Sequence, residues 1–353
     1  MRLRWPVVPV VLLAVLGPWP AAASVSLLLE ATGARQFTAI SLMGELELVR
    51  DRTFLTACFS SSRSAPLEIT GAPGTDPLTI SIPRSNQACL GLDHGLTDHW
   101  RVSAMASLSP KVTSQVLVLD RPTLVFRSEN GSAGGFLGIS YDTANPLDDV
   151  QWGADLGLAV NAYSLSHSWI TAFRTRRFPS MLGSLRPGAG VVVLVGDTQW
   201  QLRGSYTFYS QDPLRAGAVS EDELLAVDAV VQRFVDASQY YGLNAEYGSF
   251  LQQTTKRLMA ADALSGLSTA PIWFELHPSV EQRFSRWLKG QVGYTYDRYV
   301  PGAGQAHVAS TKWTVTFSGN VQSWVAAAAQ LDVPGSVPPK LYGILTLGVE
   351  VSF

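Results

Sequence analysis

Apolar and polar positions alternate along the C-terminal segment 341–353. Its odd positions, from Leu341 to Phe353, are apolar or glycine, whereas its even positions are mixed and include Glu350. Successive side chains of a β-strand point to opposite faces of a sheet. The segment is therefore predicted to be a strand with one apolar face and one mixed face.

The same alternation recurs in 151–161, 200–209, 272–277 and 312–318. Alternating strands are typical of sandwiches, whose apolar face meets a second sheet, and of membrane barrels, whose apolar face meets lipid. The strands are often about 10–13 residues long, which suits a tilted membrane span. Aromatic residues mark strand ends, as in interfacial girdles: Trp100, Trp152, Trp169, Trp200, Trp287, Tyr342 and Phe353. We therefore predict an all-β fold, a closed antiparallel up-and-down transmembrane β-barrel, with a secreted β-sandwich as the alternative.

Composition narrows the class further. Of the 353 residues, 46% are apolar and 15% are charged, whereas soluble globular proteins carry roughly 25% charged residues. A disordered chain would need high charge and few aromatic residues. Past the N-terminus no stretch of about 18 apolar residues occurs, which excludes a helical membrane protein. The formal net charge of −2 gives no nucleic-acid footprint.

The N-terminus has the layout of a secretory signal peptide. Two basic residues, Arg2 and Arg4, precede the apolar run 6–16, and small residues at 21–24 offer a cleavage site. The apolar run is too short for a membrane anchor. We expect residues 1–23 to be a signal peptide and residues 24–353 to form a single barrel domain.

The last strand carries a resemblance to a known class. With Phe353 at its end, Val351 on the same face and Gly348 within it, the strand resembles the terminal strand of bacterial outer-membrane β-barrel proteins. That class typically ends in an aromatic residue, which its assembly machinery recognises. The resemblance implies a cell outer membrane location, with membrane lipid and the barrel-assembly machinery as partners. It also implies that Gly348, Val351 and Phe353 belong to the assembly signal.

The strand number follows from the positions of turns. Both termini of such barrels lie on the periplasmic side, so the number is even. Short turns at 50–52, 97–98, 196–198, 284–286 and 319–320 are expected there, and longer loops outside at 64–85, 143–150, 178–188, 211–222, 251–270, 300–307 and 333–339. Candidate strands are 25–32, 37–49, 53–63, 86–96, 99–109, 115–127, 134–142, 151–163, 168–177, 189–196, 199–210, 223–234, 237–250, 271–283, 287–299, 308–319, 322–332 and 340–353.

Not all of these candidates are equally clear. Segment 223–234 could be a strand or a helix in a loop, because Ser220 and Glu223 resemble a capping box. The segments 25–32, 115–127 and 134–142 have the weakest patterns. We expect about 16 strands, with 14 to 18 open.

The two cysteines, Cys58 and Cys89, flank the expected outer loop 64–85. Opposed residues of an antiparallel hairpin keep a constant sum of residue numbers. A pairing of Cys58 with Cys89 therefore also pairs Leu67 with Ile80. Both cysteines fall on the polar face in an oxidising compartment, so we expect them to face each other and form a disulfide. Two free thiols are the alternative.

Charged residues on the polar face of the strands are expected to line the lumen. The candidate constriction has a basic side, Arg174, Arg176 and Arg203, and an acidic side, Glu45, Glu47, Asp155 and Glu275. Opposed walls of this kind orient dipolar solutes and set ion preference. The alternative is that the charges pair with each other and stiffen the wall.

We predict a passive porin-like channel for small polar solutes. The alternative is a barrel with a non-channel role: uptake of hydrophobic substrates, an envelope scaffold or an export partner. A hydrolase is less well supported. His94, His99 and the Ser166–Ser168 segment fall at expected periplasmic turns, and His307, near Ser310 at an outer loop, lacks an evident acid partner. No Gly-x-Ser-x-Gly motif, metal-ligand spacing or phosphate loop occurs, so no catalytic residue, metal or cofactor is predicted.

Overall fold

The structure of the protein is a computed structural model. It describes residues 25–34, 37–64, 67–69, 78–80, 85–117, 125–143, 150–170, 175–213, 271–318, 320–333 and 339–352. The predicted signal peptide 1–23 and Phe353 lie outside the described residues. Within these ranges, no helix is long and apolar enough to cross a membrane.

The described chain is built from β-strands. They are β1 (Val25–Ala34), β2 (Phe37–Val49), β3 (Thr53–Ser64), β4 (Leu67–Ile69), β5 (Leu78–Ile80), β6 (Ser85–Gly95), β7 (Trp100–Leu117), β8 (Val125–Asp142), β9 (Val150–Ile170), β10 (Thr175–Val195), β11 (Thr198–Tyr206), β12 (Phe208–Tyr209), β13 (Ile272–Ser285), β14 (Leu288–Tyr299), β15 (Gln305–Ser318), β16 (Val321–Val333) and β17 (Lys340–Ser352).

Within the described residues, fourteen strands close into an antiparallel barrel. Each strand pairs with its neighbours along the chain, and β17 pairs with β1 to complete the circle. The short β12 continues β11 against β10, and β11 pairs directly with β13 on its other side. A separate two-stranded sheet, β4 and β5, extends the hairpin between β3 and β6. The predicted fold class, a closed antiparallel up-and-down barrel, is confirmed.

The strand number, 14, is the lower limit of the predicted range of 14 to 18 and is smaller than the expected 16. The predicted strands 99–109, 115–127 and 134–142 are two long strands, β7 and β8, of 18 residues each. A register shift between Ser109 and Val112 replaces the expected loop in β7. Likewise 151–163, 168–177 and 189–196 are β9 and β10, of 21 residues each. The predicted strands 223–234 and 237–250 lie outside the described residues.

The length of these strands explains why the predicted segments do not match them one to one. About 9–11 tilted residues suffice to cross a bilayer. Beyond that length a strand does not need an apolar face. The alternation of apolar and polar residues therefore fades, although the backbone pairing with the neighbouring strands continues. In β9, for example, the alternate positions 164, 166 and 168 are all serine, and they pair with Met181, Pro179 and Arg177 of β10. A segment in which the alternation fades is therefore predicted to be a loop, although it is part of a strand.

The two ends of the barrel differ. At the short-turn end, tight connections at 50–52, 96–99, 196–197 and 286–287 join the strands, and both the start of β1 and the end of β17 lie there. The connection between β8 and β9 is also at this end, which corrects the expectation that 143–150 is an outer loop. The expected outer loop 178–188 lies inside β10. Ser166–Ser168 lie near the opposite, long-loop end, not at a short turn.

The two faces of the wall have opposite chemistry. Outward side chains such as Leu137 and Leu156 are 64% and 62% exposed, whereas inward ones such as Ser107 and Asn161 are buried. Soluble proteins rarely expose contiguous apolar patches larger than a few hundred Å². This outward band continues around the barrel and is suited to lipid, not water.

Aromatic side chains mark the short-turn end of this band. Tyr141 packs between Trp100 and Trp152, with ring centroids 4.9 Å and 5.3 Å away. Trp200 and Trp287 are more than half exposed near the same end. Rings at this height match an interfacial girdle, where an amphipathic side chain contacts both acyl chains and headgroups.

The cysteine hairpin has the predicted register. Cys58 is directly opposite Cys89, and Leu67 is opposite Ile80 in the extension formed by β4 and β5. The two cysteines are joined by a disulfide with Cα atoms 5.0 Å apart. They lie on the inward face of the wall, in line with Met43 and Ser107 on the flanking strands.

Removing this bond is expected to destabilise the barrel moderately. The disulfide closes a segment of 31 residues, for which the chain-entropy estimate is about 3–4 kcal/mol. The double variant Cys58→Ser and Cys89→Ser should therefore unfold at lower urea concentration in lipid vesicles, with an unchanged circular dichroism spectrum before unfolding. Dithiothreitol should shift the wild-type curve towards that of the variant. A variant curve that coincides with the oxidised wild type would contradict the expectation.

Candidate functional site: the barrel lumen

Inward side chains divide the lumen into two levels. In the lower lumen, on the short-turn side, charged side chains such as Asp93, Arg101, Asp155 and Arg203 remain between about one third and one half exposed. In the half towards the long-loop end, many inward polar side chains are buried, among them Ser132, Asn161 and Ser184. We call this second level the polar belt. The two levels therefore differ in how far their polar side chains are exposed to water.

An ion pair that spans a whole strand lies in the lower lumen. Asp155 on β9 and Arg203 on β11 both pair with Gly190 of β10, which stands between them. Their side chains meet above that glycine, with Arg203 Nε 3.6 Å from Asp155 Oδ1. A Cβ at position 190 would overlap both side chains. Glycine is therefore required here for the pair to form.

The amide of Gln201 supports the same arginine. With its oxygen turned towards the guanidinium, Gln201 accepts hydrogen bonds from Arg203 Nε and Nη2, both at 3.0 Å. Arg203 is thus held between a carboxylate and an amide, and its charge is partly neutralised.

Two further ion pairs join neighbouring strands of the lower lumen. Arg101 Nε lies 3.1 Å from Asp93 Oδ1, and the Arg101 guanidinium also lies over the Phe54 ring at 5.7 Å. Lys289 Nζ donates to Glu281 Oε1 at 3.2 Å. Pairing of this kind fixes long side chains and so shapes the passage.

The wall formed by β17, β1 and β2 is acidic. Its inward side chains include Glu350, Glu30, Glu45 and Glu47. Glu350 Oε2 accepts a hydrogen bond from Gln322 Nε2 at 2.6 Å, and the Glu47 carboxylate accepts one from the backbone N–H of Asp51. The lower lumen therefore has one carboxylate-rich side and one side with closely paired charges.

The centre of the polar belt is a buried ion pair. Arg186 on β10 is 2% exposed. Its Nη2 lies 3.2 Å from Glu275 Oε1 on β13, and its Nε donates to Ser205 Oγ on β11 at 2.8 Å. The side chains of Arg186 and Glu275 are 3% and 14% exposed. Both charges are therefore largely removed from water.

The belt continues around the lumen through neutral and acidic groups. Tyr299 donates to Asp332 Oδ1 at 2.9 Å, and His277 Nδ1 lies 2.7 Å from Thr295 Oγ1. Other inward side chains at this level are also no more than 7% exposed: Ser132, Asn161, Tyr163, Ser184, Asp297, Gln330 and Thr346. These side chains are therefore largely removed from water, in contrast to the charged side chains of the lower lumen.

The predicted constriction is only partly assembled in the described chain. Arg174 lies outside the described residues, and for Arg176 only the backbone pairing with Trp169 is described. Arg203 pairs with Asp155, and Glu275 belongs to the belt with Arg186. The predicted basic cluster of three arginines therefore stays a prediction.

Glu45 and Glu47 lie at inward positions of the acidic wall, and their part in a constriction stays a prediction. Sequence reasoning missed Arg186 because it fell in the expected outer loop 178–188. The alternation of Leu182, Ser184 and Arg186 with exposed Met181 and Leu185 is the signal that places it on a strand.

The predicted assembly residues take different positions. Gly348 faces inward, and the indole of Trp324 lies directly against it, where a Cβ would overlap the ring. Val351 pairs with Leu27 of β1 and Val321 of β16. Phe353 lies outside the described residues.

His307 and Ser310, the histidine and serine near an expected outer loop, do not form a catalytic pair. His307 faces outward and contacts the Tyr294 hydroxyl at 2.6 Å, whereas Ser310 faces inward and donates to the Gly293 carbonyl at 3.2 Å. Their separation of three residues along a strand places them on opposite faces. Among the described residues, no group of three or more histidine, cysteine, aspartate and glutamate side chains could hold a metal ion.

Comparison with known proteins gives the fold class. No protein-family model and no curated protein matches the chain. Among solved structures, the toluene transporter TbuX of Ralstonia pickettii aligns with a TM-score of 0.51 and 11% identity, covering 96% of this chain and 92% of that one. The monoaromatic hydrocarbon channel CymD aligns at 0.48 with 9% identity and 97% and 92% coverage. The KdgM porin aligns at 0.34 with 9% identity and 93% and 99% coverage. The chain has the fold of outer-membrane β-barrel proteins.

Proposed function

We propose, starting from this outer-membrane β-barrel fold, that the protein is a passive porin-like channel for small polar solutes in the cell outer membrane. The observation that carries the proposal is the lower lumen, where the paired side chains of Asp93 with Arg101 and Asp155 with Arg203 remain about one third to one half exposed. Polar side chains on an aqueous passage replace part of the hydration of a polar solute. The polar belt makes the passage narrow, so only small solutes are expected to cross.

Export and assembly form part of this proposal. Residues 1–23 would direct the chain across the inner membrane, and the last strand with Gly348, Val351 and Phe353 would be recognised by the barrel-assembly machinery. Outer-membrane lipid would cover the apolar outward band.

The direct test is conductance of the purified protein in planar bilayers, together with swelling of liposomes in sugars of increasing size. We expect discrete conductance steps and swelling rates that fall steeply with solute size. Liposomes that contain heat-denatured protein provide the control. Correctly folded protein that gives neither conductance steps nor swelling would refute the channel.

Ion preference gives a sharper prediction. The variant Arg203→Gln leaves the Asp155 carboxylate without its cationic partner, so the lower lumen becomes more negative. We expect the cation-to-anion permeability ratio to rise roughly twofold, because fixed charge in a narrow passage concentrates counter-ions. Reversal potentials in a salt gradient measure this ratio.

The matched control for that experiment is Arg286→Gln. It removes the same charge from an exposed position in a short turn, and it should leave the reversal potential unchanged. Equal shifts in both variants would mean that the effect comes from net charge and not from the lumen.

A second candidate function is uptake of a hydrophobic substrate. Two observations favour it: the buried polar belt, which restricts an aqueous path, and the similarity to TbuX, which is described as a toluene transporter. Vesicles that take up toluene faster with the protein than without it, but do not swell in sugars, would support this candidate over the polar channel.

A further inference from the structure

A hollow of about 490 Å³ lies on the outward side of the wall, across the seam where β17 meets β1. Its sides are mostly apolar and include Leu29, Trp313, Val325, Leu347 and Val349, with the hydroxyl side chain of Ser323 among them. The backbone at Trp324 and Gly348 contributes to its floor. The hollow therefore lies on the lipid-facing surface and not in the lumen.

The sequence explains why the surface is concave here. Along one row of paired residues, Ser323 stands between Val349 and Val315, so a small side chain separates two larger ones. Along the next row, Trp313 leans away from β16. Its ring stacks on Phe284 with centroids 5.8 Å apart and covers Gly290. Val325 stands between Trp313 and Leu347 in that row and is 41% exposed, so the turned ring leaves space beside it.

The depth of Ser323 in the membrane limits what could fill the hollow. Ser323 is three residues beyond Asn320 in the short turn. A strand rises about 3.3 Å per residue, and with a tilt of about 45° this gives a depth of roughly 7 Å from the turn. Headgroups occupy about this depth on each side of the hydrocarbon core. Ser323 is therefore level with the ester groups of a lipid, and the apolar part of the hollow extends towards the membrane centre.

We infer that the hollow binds one acyl chain of a phospholipid from the leaflet at the short-turn end, with the Ser323 hydroxyl donating to an ester carbonyl. This inference rests on the proposed placement in the outer membrane. The hollow is continuous with the exposed apolar band, and its sides Leu29 and Leu347 are 53% and 52% exposed. A single polar group at the headgroup end and apolar sides beyond it match the two parts of a phospholipid.

Binding is expected to be selective in position but modest in strength. Lipid tails are as apolar as leucine, so no hydrophobic effect draws a chain from the bilayer to the wall. The preference comes from packing contacts on several sides and from one hydrogen bond. We expect a several-fold enrichment of lipid at this site and not a permanently bound lipid.

The test uses the full chain in vesicles of phosphatidylethanolamine and phosphatidylglycerol that contain a small fraction of phosphatidylethanolamine with a diazirine in its acyl chain. After irradiation, labelled peptides are mapped by mass spectrometry. We expect labels on Leu29, Val325 and Leu347 several-fold above those on Leu137 and Leu156, although these two, on the opposite part of the band, are more exposed.

Variants separate the hollow from the general surface. Ser323→Phe fills the hollow and should reduce its labelling to the level of Leu137. Ala329→Phe adds the same ring at an outward position of the same strand, outside the hollow, and should leave labelling unchanged.

Three results would overturn the inference. Even labelling around the barrel in folded protein would refute the site while leaving the membrane placement intact. Absence of label on the whole outward band would refute the placement itself. Native mass spectra with dimers or trimers that Ser323→Phe dissociates would show that a second copy of the chain fills the hollow.

Discussion

Glu275→Gln is expected to destabilise the barrel by about 3–5 kcal/mol. The substitution leaves the Arg186 guanidinium buried next to a neutral amide, and removal of one member of a buried ion pair typically costs that much. Urea unfolding in lipid vesicles, followed by tryptophan fluorescence, measures the free energy of unfolding. The double variant Arg186→Met and Glu275→Leu should recover part of the loss, because no uncompensated charge remains.

The comparison variant is Glu281→Gln. It breaks the pair with Lys289, whose two side chains are 35% and 31% exposed. A solvent-accessible pair contributes about 0–1 kcal/mol, so this variant should unfold near the wild-type midpoint. Equal losses in Glu275→Gln and Glu281→Gln would show that burial of the Arg186 pair has no special role in stability.

Gly348→Ala is expected to cost about 1–3 kcal/mol, the usual range for adding a methyl group to a packed site. The new Cβ would overlap the six-membered ring of Trp324, which is 8% exposed and must move. Lys312 Nζ lies 4.9 Å from the centre of that ring and would lose its cation–π contact. The shift in urea midpoint and the change in tryptophan emission report both effects.

Two controls isolate the contact. Gly343→Ala is on the same strand but has open space around the added Cβ, so it should be neutral or slightly stabilising. Placing Gly348→Ala in a Trp324→Ala background should abolish most of the cost. A full cost in that background would mean that Gly348 matters through its backbone and not through the indole.

The variant Gly348→Ala also distinguishes a role of Gly348 in stability from a role in assembly. If Gly348 acts mainly in recognition by the assembly machinery, Gly348→Ala lowers the amount of barrel in cells although the refolded protein is stable. If packing against Trp324 dominates, the two quantities fall together.

The sequence predicts the strands of the barrel wall where every second side chain faces lipid and must therefore be apolar. From β13 to β17 the predicted and observed strands differ by no more than three residues at any end, because apolar positions must recur at every second residue there. The long strands β9 and β10 were not predicted as continuous strands, because the parts that extend beyond the membrane span need not alternate between apolar and polar residues. The register of the cysteine hairpin was predictable because opposed residues keep a constant sum of residue numbers. Once Cys58 is paired with Cys89, every other pair in the hairpin follows.

The lumen was less accessible to sequence reasoning. Alternation tells which side chains face inward, as for Glu45 and Asp155, but it gives no height along the barrel. Height decides whether a charge such as Arg186 is buried in the belt or exposed in the lower lumen. The meeting of Asp155 with Arg203 depends on a glycine in a third strand, and only the register between β9, β10 and β11 shows it.

The position of the disulfide constrains the order of events in biogenesis. Cys58 and Cys89 face the inside of the wall, where a folded thiol oxidase is too large to enter once the cylinder has closed. We therefore expect the bond to form while the β3–β6 hairpin is still accessible, before the first and last strands meet. If the chain is exported as proposed, cells that lack periplasmic oxidation are expected to deliver a reduced hairpin to the membrane.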